Sequence, residues 1–243
     1  MRRPLLVAAK VLGAVLLLAL LVAGGLYLYG RRYPTHSLYA DAAALPGDPL
    51  ADPHGTALAR VLHGAVNPSG KLPFSVAADP AAYPPFTPYA EAIDYGYYHG
   101  YTLLERDGAA VAYPFGHGLS YTDFAYDRLA VDAAGLAAGD SLRVSVAVSN
   151  VGARDGAEVV QLYVGFADSA LDRPRKLLRD FAKVRLAAGE TRAVELAVAR
   201  EDLAYYDEAA RAWAVEPMRY GVYVGGSSRD GDLLAGGFAI AGP

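Results

Sequence analysis

The chain has 243 residues, of which 53% are hydrophobic and 20% charged, and its formal net charge is −4. This length accommodates one domain of ordinary size with additions, and the apolar content is sufficient for a large core. The acidic balance argues against a nucleic-acid-binding surface, and the lack of cysteine excludes disulfides, thiolate catalysis and cysteine-ligated metal.

An uncharged apolar run occupies residues 11–30 (VLGAVLLLALLVAGGLYLYG). As a helix it would extend about 30 Å, the thickness of a bilayer core, so it predicts a membrane-spanning helix. A cleaved signal peptide is the alternative, because small residues follow at Ala23 and beyond. We expect an anchor over residues 1–34 and a single-pass membrane protein, held by the lipid bilayer. Basic side chains before the run favour an extracytoplasmic C-terminal domain, either periplasmic or extracellular.

The next stretch has little regular periodicity. Residues 35–54 are rich in Ala, Pro and Asp and predict a linker, and residues 67–70 (NPSG) suit a type I turn. Residues 79–101, which we call the strap, carry four prolines among seven aromatic residues. Because proline disfavours a regular helix, we expect an extended segment that lies over another surface.

From residue 123 onward, short alternating runs separated by turn residues predict β-strands. In residues 142–149 the four apolar side chains at even positions share one face and the intervening residues share the other. Residues 191–198 repeat this alternation, whereas residues 158–164 are apolar on both faces, as expected of a central strand. About seven such strands predict a β-sandwich.

Five fragments carry a family resemblance. They are NPSGKLP (67–73), YPFGHGLSYTDF (113–124), VSNVGARDGAEVVQLYV (148–164), RPRKLLRDFAKVRLAAGET (173–191) and LAYYDE with WAVEPMRYGVYVGGSS (203–208 and 213–228). Taken in order, they resemble the C-terminal part of glycoside hydrolase family 3, the bacterial β-glucosidase and β-xylosidase type. The resemblance covers residues 55–228.

The resemblance implies an all-β fold class. It places a fibronectin type III-like, immunoglobulin-like β-sandwich at residues 122–240, after a remnant of the family's α/β sandwich domain and its strap at residues 55–121. To these the sequence adds the N-terminal transmembrane helix. Family members typically also have a TIM-like barrel with an Asp nucleophile, and a Glu acid/base on the α/β sandwich. Only 22 residues, 33–54, lie between the predicted helix and residue 55, so we expect those catalytic parts to be missing.

No position matches the nucleophile or acid/base motifs, and we therefore assign no catalytic residue. Glycosidases need two carboxyl groups at a fixed separation of about 5 to 9.5 Å with unlike protonation. The acids in and just after the strap, Glu91, Asp94, Glu105 and Asp107, lie in an irregular tract. We interpret them as solvated acids.

The best binding candidates are aromatic. Tyr95, Tyr97, Tyr98 and Tyr101 in the strap, together with His117 between two glycines, are candidate contacts for a glycan or a partner chain. Packing against neighbouring domains is the alternative for the tyrosines, and a hydrogen-bonded loop role is the alternative for His117. The histidine spacing predicts no metal site, and no cofactor-binding motif is found. The basic run at residues 173–179 is interpreted as a solvated loop.

The leading hypothesis is a membrane-held, non-catalytic module derived from a family 3 glycosidase. The alternative is an enzymatic role, in which a partner chain supplies the missing catalytic domains and completes a β-glucosidase. A truncated gene product or gene-model error is the third reading.

Overall fold

The computed structural model describes residues 53–85, 89–93, 96–133 and 136–241. These fall into two units, which are described separately: residues 53–62 belong to the first and residues from 63 onward to the second. The first unit contributes helix α1 (Pro53–Leu62), on which the apolar side chains of Leu58 and Leu62 are exposed.

The predicted fold class is wrong in including a membrane-spanning helix, and the predicted single-pass membrane location is corrected with it. In the part of the chain that the structure describes, no helix is long and apolar enough to cross a bilayer. The longer described helix, α1, has 10 residues and extends about 15 Å, half the thickness of a bilayer core. The run at residues 11–30 on which the prediction was based lies outside the described residues.

The second unit contains a short helix and a series of strands. In chain order they are β1 (Val76–Ala77), α2 (Gly100–Arg106), β2 (Val111–Tyr113), β3 (Phe124–Asp132), β4 (Ser141–Asn150), β5 (Gly156–Gly165), β6 (Lys176–Leu186), β7 (Thr191–Ala199), β8 (Tyr205–Asp207), β9 (Ala212–Ala214), β10 (Arg219–Gly225) and β11 (Leu233–Ala239). The fold is therefore mostly β with helical segments, rather than all-β.

The strap is less extended than expected. A 3₁₀ turn spans Pro80–Ala82, where the Asp79 carboxylate accepts a hydrogen bond from the Ala81 amide at 2.9 Å. Helix α2 then begins at Gly100, beyond the prolines that disfavour helix, and the Thr102 hydroxyl donates to the His99 carbonyl at 2.8 Å in its first turn. Buried Leu103 and Leu104 fix the helix against the rest of the unit.

Seven strands form two antiparallel sheets. One sheet has the order β3-β4-β7 and the other the order β11-β10-β5-β6. Their inner faces share a core, whose fully buried members include Leu142, Val144, Val146 and Val148 from β4 and Val160, Leu162 and Val164 from β5. The alternation predicted for β4 and β7 is confirmed, because apolar side chains at every second position of both strands are buried.

Strands β8 and β9 form a separate two-stranded hairpin. Tyr206 lies directly opposite Trp213 in its register, so the two side chains share one face. The Asp207 carboxylate accepts hydrogen bonds from the Ala209 and Ala210 amides, which fixes the turn, and Arg211 closes it at a positive φ of 52°.

Candidate functional site

The NPSG turn fastens the segment before the sandwich to the sandwich itself. Asn67 donates its side-chain amide to the Asp155 carbonyl at 3.0 Å, and its side-chain oxygen accepts hydrogen bonds from the Ser120 hydroxyl at 3.0 Å and the Tyr121 amide at 2.9 Å. One side chain thereby joins three points that are distant in sequence. The turn therefore holds this segment against the sandwich by hydrogen bonds, in addition to changing the chain direction.

The PFGHGLSYT segment passes over β5 at a glycine. Gly116 has a φ of +79°, and a side chain there would collide with Gln161 of β5. Gln161 is buried and donates to the Gly226 carbonyl at 2.6 Å and to the Gly116 carbonyl at 3.3 Å, while accepting from the Tyr163 hydroxyl at 2.6 Å. The glycine therefore allows the close approach of two backbones around one satisfied buried amide.

Beside this crossing lies an open cleft of about 670 Å³, which we call the junction cleft. It is formed by the segment before the sandwich, by β3 and β5, and by the chain that precedes β11. Its polar lining residues are Lys71, His117, Ser120, Thr122, Asp123, Tyr126, Glu158, Ser227, Arg229 and Asp232. The mixture of donors and acceptors, with both signs of charge, suits a polar ligand better than an apolar one.

Two carboxylates of the junction cleft, those of Glu158 and Asp232, have polar partners. The buried Glu158 accepts from the Lys71 ammonium at 2.8 Å and from the Tyr126 hydroxyl at 3.1 Å. Burial, together with the charge of Glu158, raises the pKa of Tyr126 well above its usual value. Asp232 accepts a hydrogen bond from the Ser227 hydroxyl at 2.6 Å. Glu158 is therefore held by a lysine and a tyrosine, and Asp232 by a serine.

A second polar cluster joins α2 to the sandwich. Lys176 of β6 is almost completely buried and donates to Glu105 at 2.5 Å and to Asp230 at 2.9 Å. Burial raises the pKa of Glu105 above its usual value of 4.5, and the attraction of Lys176 only partly offsets this. Burial also opposes ionisation of Asp230, but hydrogen bonds from Arg175 and Lys176 outweigh it, and the pKa of Asp230 is lowered.

These contacts correct two interpretations made from the sequence. Glu105 is not a solvated acid, because it is half-buried and bound to Lys176. The basic run at residues 173–179 is not a solvated loop, since Lys176 is buried and so is the Arg173 guanidinium, which contacts Glu216 at 3.2 Å and lies 3.8 Å from the Phe166 ring centre. Hydrogen bonds from Ser169 and Arg173 outweigh the effect of burial on Glu216, so its pKa is lowered. The acidic partners are too distant in sequence for the run to reveal them.

The candidate strap tyrosines are partly brought together. Tyr95 lies outside the described residues. Tyr97 is exposed and forms an edge-to-face pair with Tyr98, with ring centres 5.1 Å apart. The Tyr98 hydroxyl donates to Asp172 at 2.5 Å, and this hydrogen bond is the main reason why its pKa is raised to about 12. The central carbon of the Arg106 guanidinium also lies over the Tyr98 ring, 4.6 Å from the ring centre.

Tyr101 and His117 occupy other places. Tyr101 accepts a hydrogen bond from the Leu178 amide at 3.0 Å and packs near Phe115, which indicates a packing role, and burial raises the pKa of its hydroxyl. His117 lines the junction cleft, and its ring centre lies 5.3 Å from that of Tyr113. A glycan or partner contact by any of these residues stays a prediction. Among the described residues, no group of three or more His, Cys, Asp or Glu side chains is placed to hold a metal ion.

The exposed aromatic pair on the β8–β9 hairpin was not predicted from the sequence. Trp213 is the single tryptophan of the chain and is 73% exposed, and its ring centre lies 5.6 Å from that of Tyr206 in an edge-to-face arrangement. The turn residues Asp207 and Glu208 between two short aromatic runs were the signal available. They indicate a hairpin but not the exposure of its rings.

Two family models match the sequence. Residues 42–121 match the model of the glycosyl hydrolase family 3 C-terminal domain, and residues 158–228 match the model of the fibronectin type III-like domain. The second match covers most of β5 and all of β6, β7 and β10 of the sandwich, together with the β8–β9 hairpin.

Curated relatives are β-glucosidases. The chain is 40% identical over 205 residues to the probable β-glucosidase L of Aspergillus fumigatus, covering 77% of this chain and 27% of the relative. It is also 40% identical over 182 residues to the thermostable β-glucosidase B of Acetivibrio thermocellus, covering 72% and 24%. The chain thus spans about a quarter of the length of these relatives.

Solved structures agree with this match. The β-D-glucoside glucohydrolase of Trichoderma reesei superposes with a TM-score of 0.70 at 34% identity, covering 77% of this chain and 29% of that chain. The β-glucosidase 3B of Thermotoga neapolitana, solved with α-D-glucose, superposes with a TM-score of 0.66 at 37% identity, covering 77% and 27%. The chain therefore resembles the C-terminal region of family 3 β-glucosidases, with matches to both that family's C-terminal domain and the fibronectin type III-like domain.

Proposed function

We propose that residues 63–241 act as the non-catalytic C-terminal part of a β-glucosidase-type glycoside hydrolase. In this role the fibronectin type III-like sandwich is a rigid support, and the segment before it presents a surface to the domains that carry out hydrolysis. The resemblance to about a quarter of the length of β-glucosidases, together with the match to the family 3 C-terminal domain model, supports this placement.

The observation that carries the proposal is the engagement of the buried carboxylates by cations. Glu158 is paired with Lys71, Glu105 with Lys176, and Glu216 with Arg173. Glycoside hydrolysis needs one carboxyl group that is protonated and a second that is ionised, both facing the same sugar. Each of these carboxylates is already engaged by a structural cation, so we assign them to stabilising the unit rather than to an acid/base pair.

The exposed apolar side chains support the surface-presenting role. Residues 63–121 expose the large hydrophobic side chains Val66, Phe74, Tyr83, Tyr89, Ile93, Tyr97, Tyr113, Leu119 and Tyr121. The sandwich, although longer, exposes fewer: Val151, Leu171, Phe181, Tyr206 and Trp213. A concentration of exposed apolar side chains is typical of an interaction site.

The test is hydrolysis of a nitrophenyl β-glucoside by the purified chain. We expect no release of nitrophenol above the uncatalysed rate. Turnover at an enzyme-like rate, on the order of 1 s⁻¹ or faster, would contradict it.

A second candidate follows from the same exposed side chains: a separate chain that carries a barrel and an α/β sandwich binds this surface and completes a β-glucosidase. Co-purification with tagged full-length chain, followed by the same assay on the complex, tests this candidate. Recovery of an inactive, solitary chain argues against it. Recovery of a partner whose activity depends on this chain supports it.

A further inference from the structure

We propose that the exposed aromatic pair of the β8–β9 hairpin, Tyr206 and Trp213, is a stacking site for the sugar rings of a β-linked glucan. The inference rests on the proposed function, because the ligand class is the one on which a β-glucosidase acts. It adds a site on the β8–β9 hairpin through which this chain would hold substrate.

The hairpin presents its rings in a fixed arrangement. Tyr206 and Trp213 are directly opposite in the register and share one face. They meet edge to face, with their ring planes at 74°, and so form a corner rather than a flat stack. The Asp207 hydrogen bonds to Ala209 and Ala210 hold the turn, so the corner is preorganised.

The size of the pair argues against a protein partner. Within residues 182–241, Tyr206 and Trp213 are the exposed large hydrophobic side chains. Two such rings offer at most about 500 Å², and they are not fully exposed. A stable protein interface buries about 800 Å² on each partner. One or two pyranose rings match the available area much better.

The chemistry of the corner suits a sugar. A β-glucopyranose ring has equatorial substituents, so its axial C–H groups form apolar faces that can lie on an aromatic ring while the hydroxyls stay hydrated. The Tyr206 hydroxyl supplies a donor and acceptor at the edge of the corner. The exposed polar turn residues Glu208 and Arg211 flank it, and Ala209 and Ala210 at the tip are too small to cover the rings.

Binding can be observed without a label, because Trp213 is the only tryptophan of the chain. Cellohexaose, a soluble β-linked hexasaccharide, is titrated into the full chain while tryptophan emission is recorded, and maltohexaose is the α-linked comparison. We expect a saturable change in emission with cellohexaose, with a dissociation constant on the order of 1 mM because only two rings engage the ligand. We expect weaker binding of maltohexaose.

Substitutions distinguish specific binding at the aromatic pair from nonspecific adsorption of the glucan. Tyr206→Ala keeps the fluorophore and should weaken cellohexaose binding at least about fivefold. Trp213→Ala, assayed by retention on an insoluble β-glucan, should abolish retention. Phe181→Ala is the matched control, because Phe181 is 62% exposed on β6 and outside the hairpin, and it should bind as the unmodified chain does. Circular dichroism establishes that each variant is folded.

Three results would overturn the proposal. They are unchanged Trp213 emission in a folded chain at saturating cellohexaose, retention of Trp213→Ala on β-glucan, or equal loss of binding in Phe181→Ala. None of these measurements depends on hydrolysis. Failure of the stacking site is therefore distinguishable from failure of the proposed non-catalytic function, which the nitrophenyl assay tests.

Discussion

The ammonium group of Lys176 lies 2.5 Å from the Glu105 carboxylate, and this contact joins the helix before the sandwich to the first residue of strand β6. Lys176 is only 1% exposed and also contacts Asp230 at 2.9 Å. A buried cation with two acidic neighbours ties helix α2 to the sandwich by electrostatics as well as by packing.

Lys176→Met should destabilise the protein strongly, because Glu105 then loses the cation that balances its charge. Breaking one side of a buried ion pair costs about 3 to 5 kcal/mol, and we expect a loss near the lower value since Glu105 is half-buried. Urea unfolding measures the change in the free energy of unfolding. Arg192→Met is the matched control, because its ion pair with Glu190 is solvent-exposed, and stability should be nearly unchanged. Equal changes in the free energy of unfolding for the two substitutions would show that the burial of Lys176 adds nothing to stability.

The raised pKa of Glu105 makes stability depend on pH. A raised pKa means that the folded state binds the proton more tightly than the unfolded state. The contribution of Glu105 to stability is therefore largest below its usual value of 4.5 and decreases as the pH rises through the raised folded pKa. Glu105→Gln, which is always neutral, should lack this decrease. Urea midpoints of both proteins across the weakly acidic range measure the difference, and parallel pH profiles would contradict the prediction.

Gly116→Ala should lower the free energy of unfolding by more than the positive φ of this residue alone explains. The backbone conformation is unfavourable for alanine, and the new methyl group also displaces the buried Gln161 amide. We expect a loss of more than about 2 kcal/mol. Gly189→Ala is the control, because Gly189 has a similar φ of +75° with open space around it, and it should cost about 1 kcal/mol. Thermal or urea unfolding of the pair decides whether the contact with Gln161 matters.

Asn67→Ala should loosen the NPSG turn from the sandwich. The substitution removes three hydrogen bonds from a half-buried side chain, and we expect a loss of about 1 to 2 kcal/mol. The Tyr121 amide donates to Asn67, so its hydrogen exchange should become faster. In Ser69→Ala, a substitution in the same turn, the protection of that amide should not change. Unchanged exchange at Tyr121 in Asn67→Ala would contradict the assigned role.

The local pattern of the sandwich was predictable from the sequence because it depends on neighbours along one strand. The alternation in β4 places Leu142 and Val144 in the core, as expected, and the two-sided apolar character of β5 identifies it as an inner strand, paired on both sides. These features follow from the two-residue period of a strand.

The polar clusters were not predictable, because their partners are distant in sequence. Lys176 meets Glu105 across 71 residues, and Glu216 accepts from Arg173 across 43. A charge run such as residues 173–179 has the same composition whether it is solvated or buried, so only the fold distinguishes the two. The exposure of Trp213 was equally unpredictable from the sequence, since an aromatic residue in a strand is more often packed than exposed.

The most direct test of the account measures nitrophenol release from an aryl β-glucoside by the purified full-length chain, alongside Glu158→Gln and Asp232→Asn in the junction cleft. We predict that none of the three proteins raises nitrophenol release above the uncatalysed rate, because these carboxylates serve structure. Enzyme-like turnover by the unmodified chain that is lost in either variant would contradict the account and place a catalytic carboxylate in the cleft.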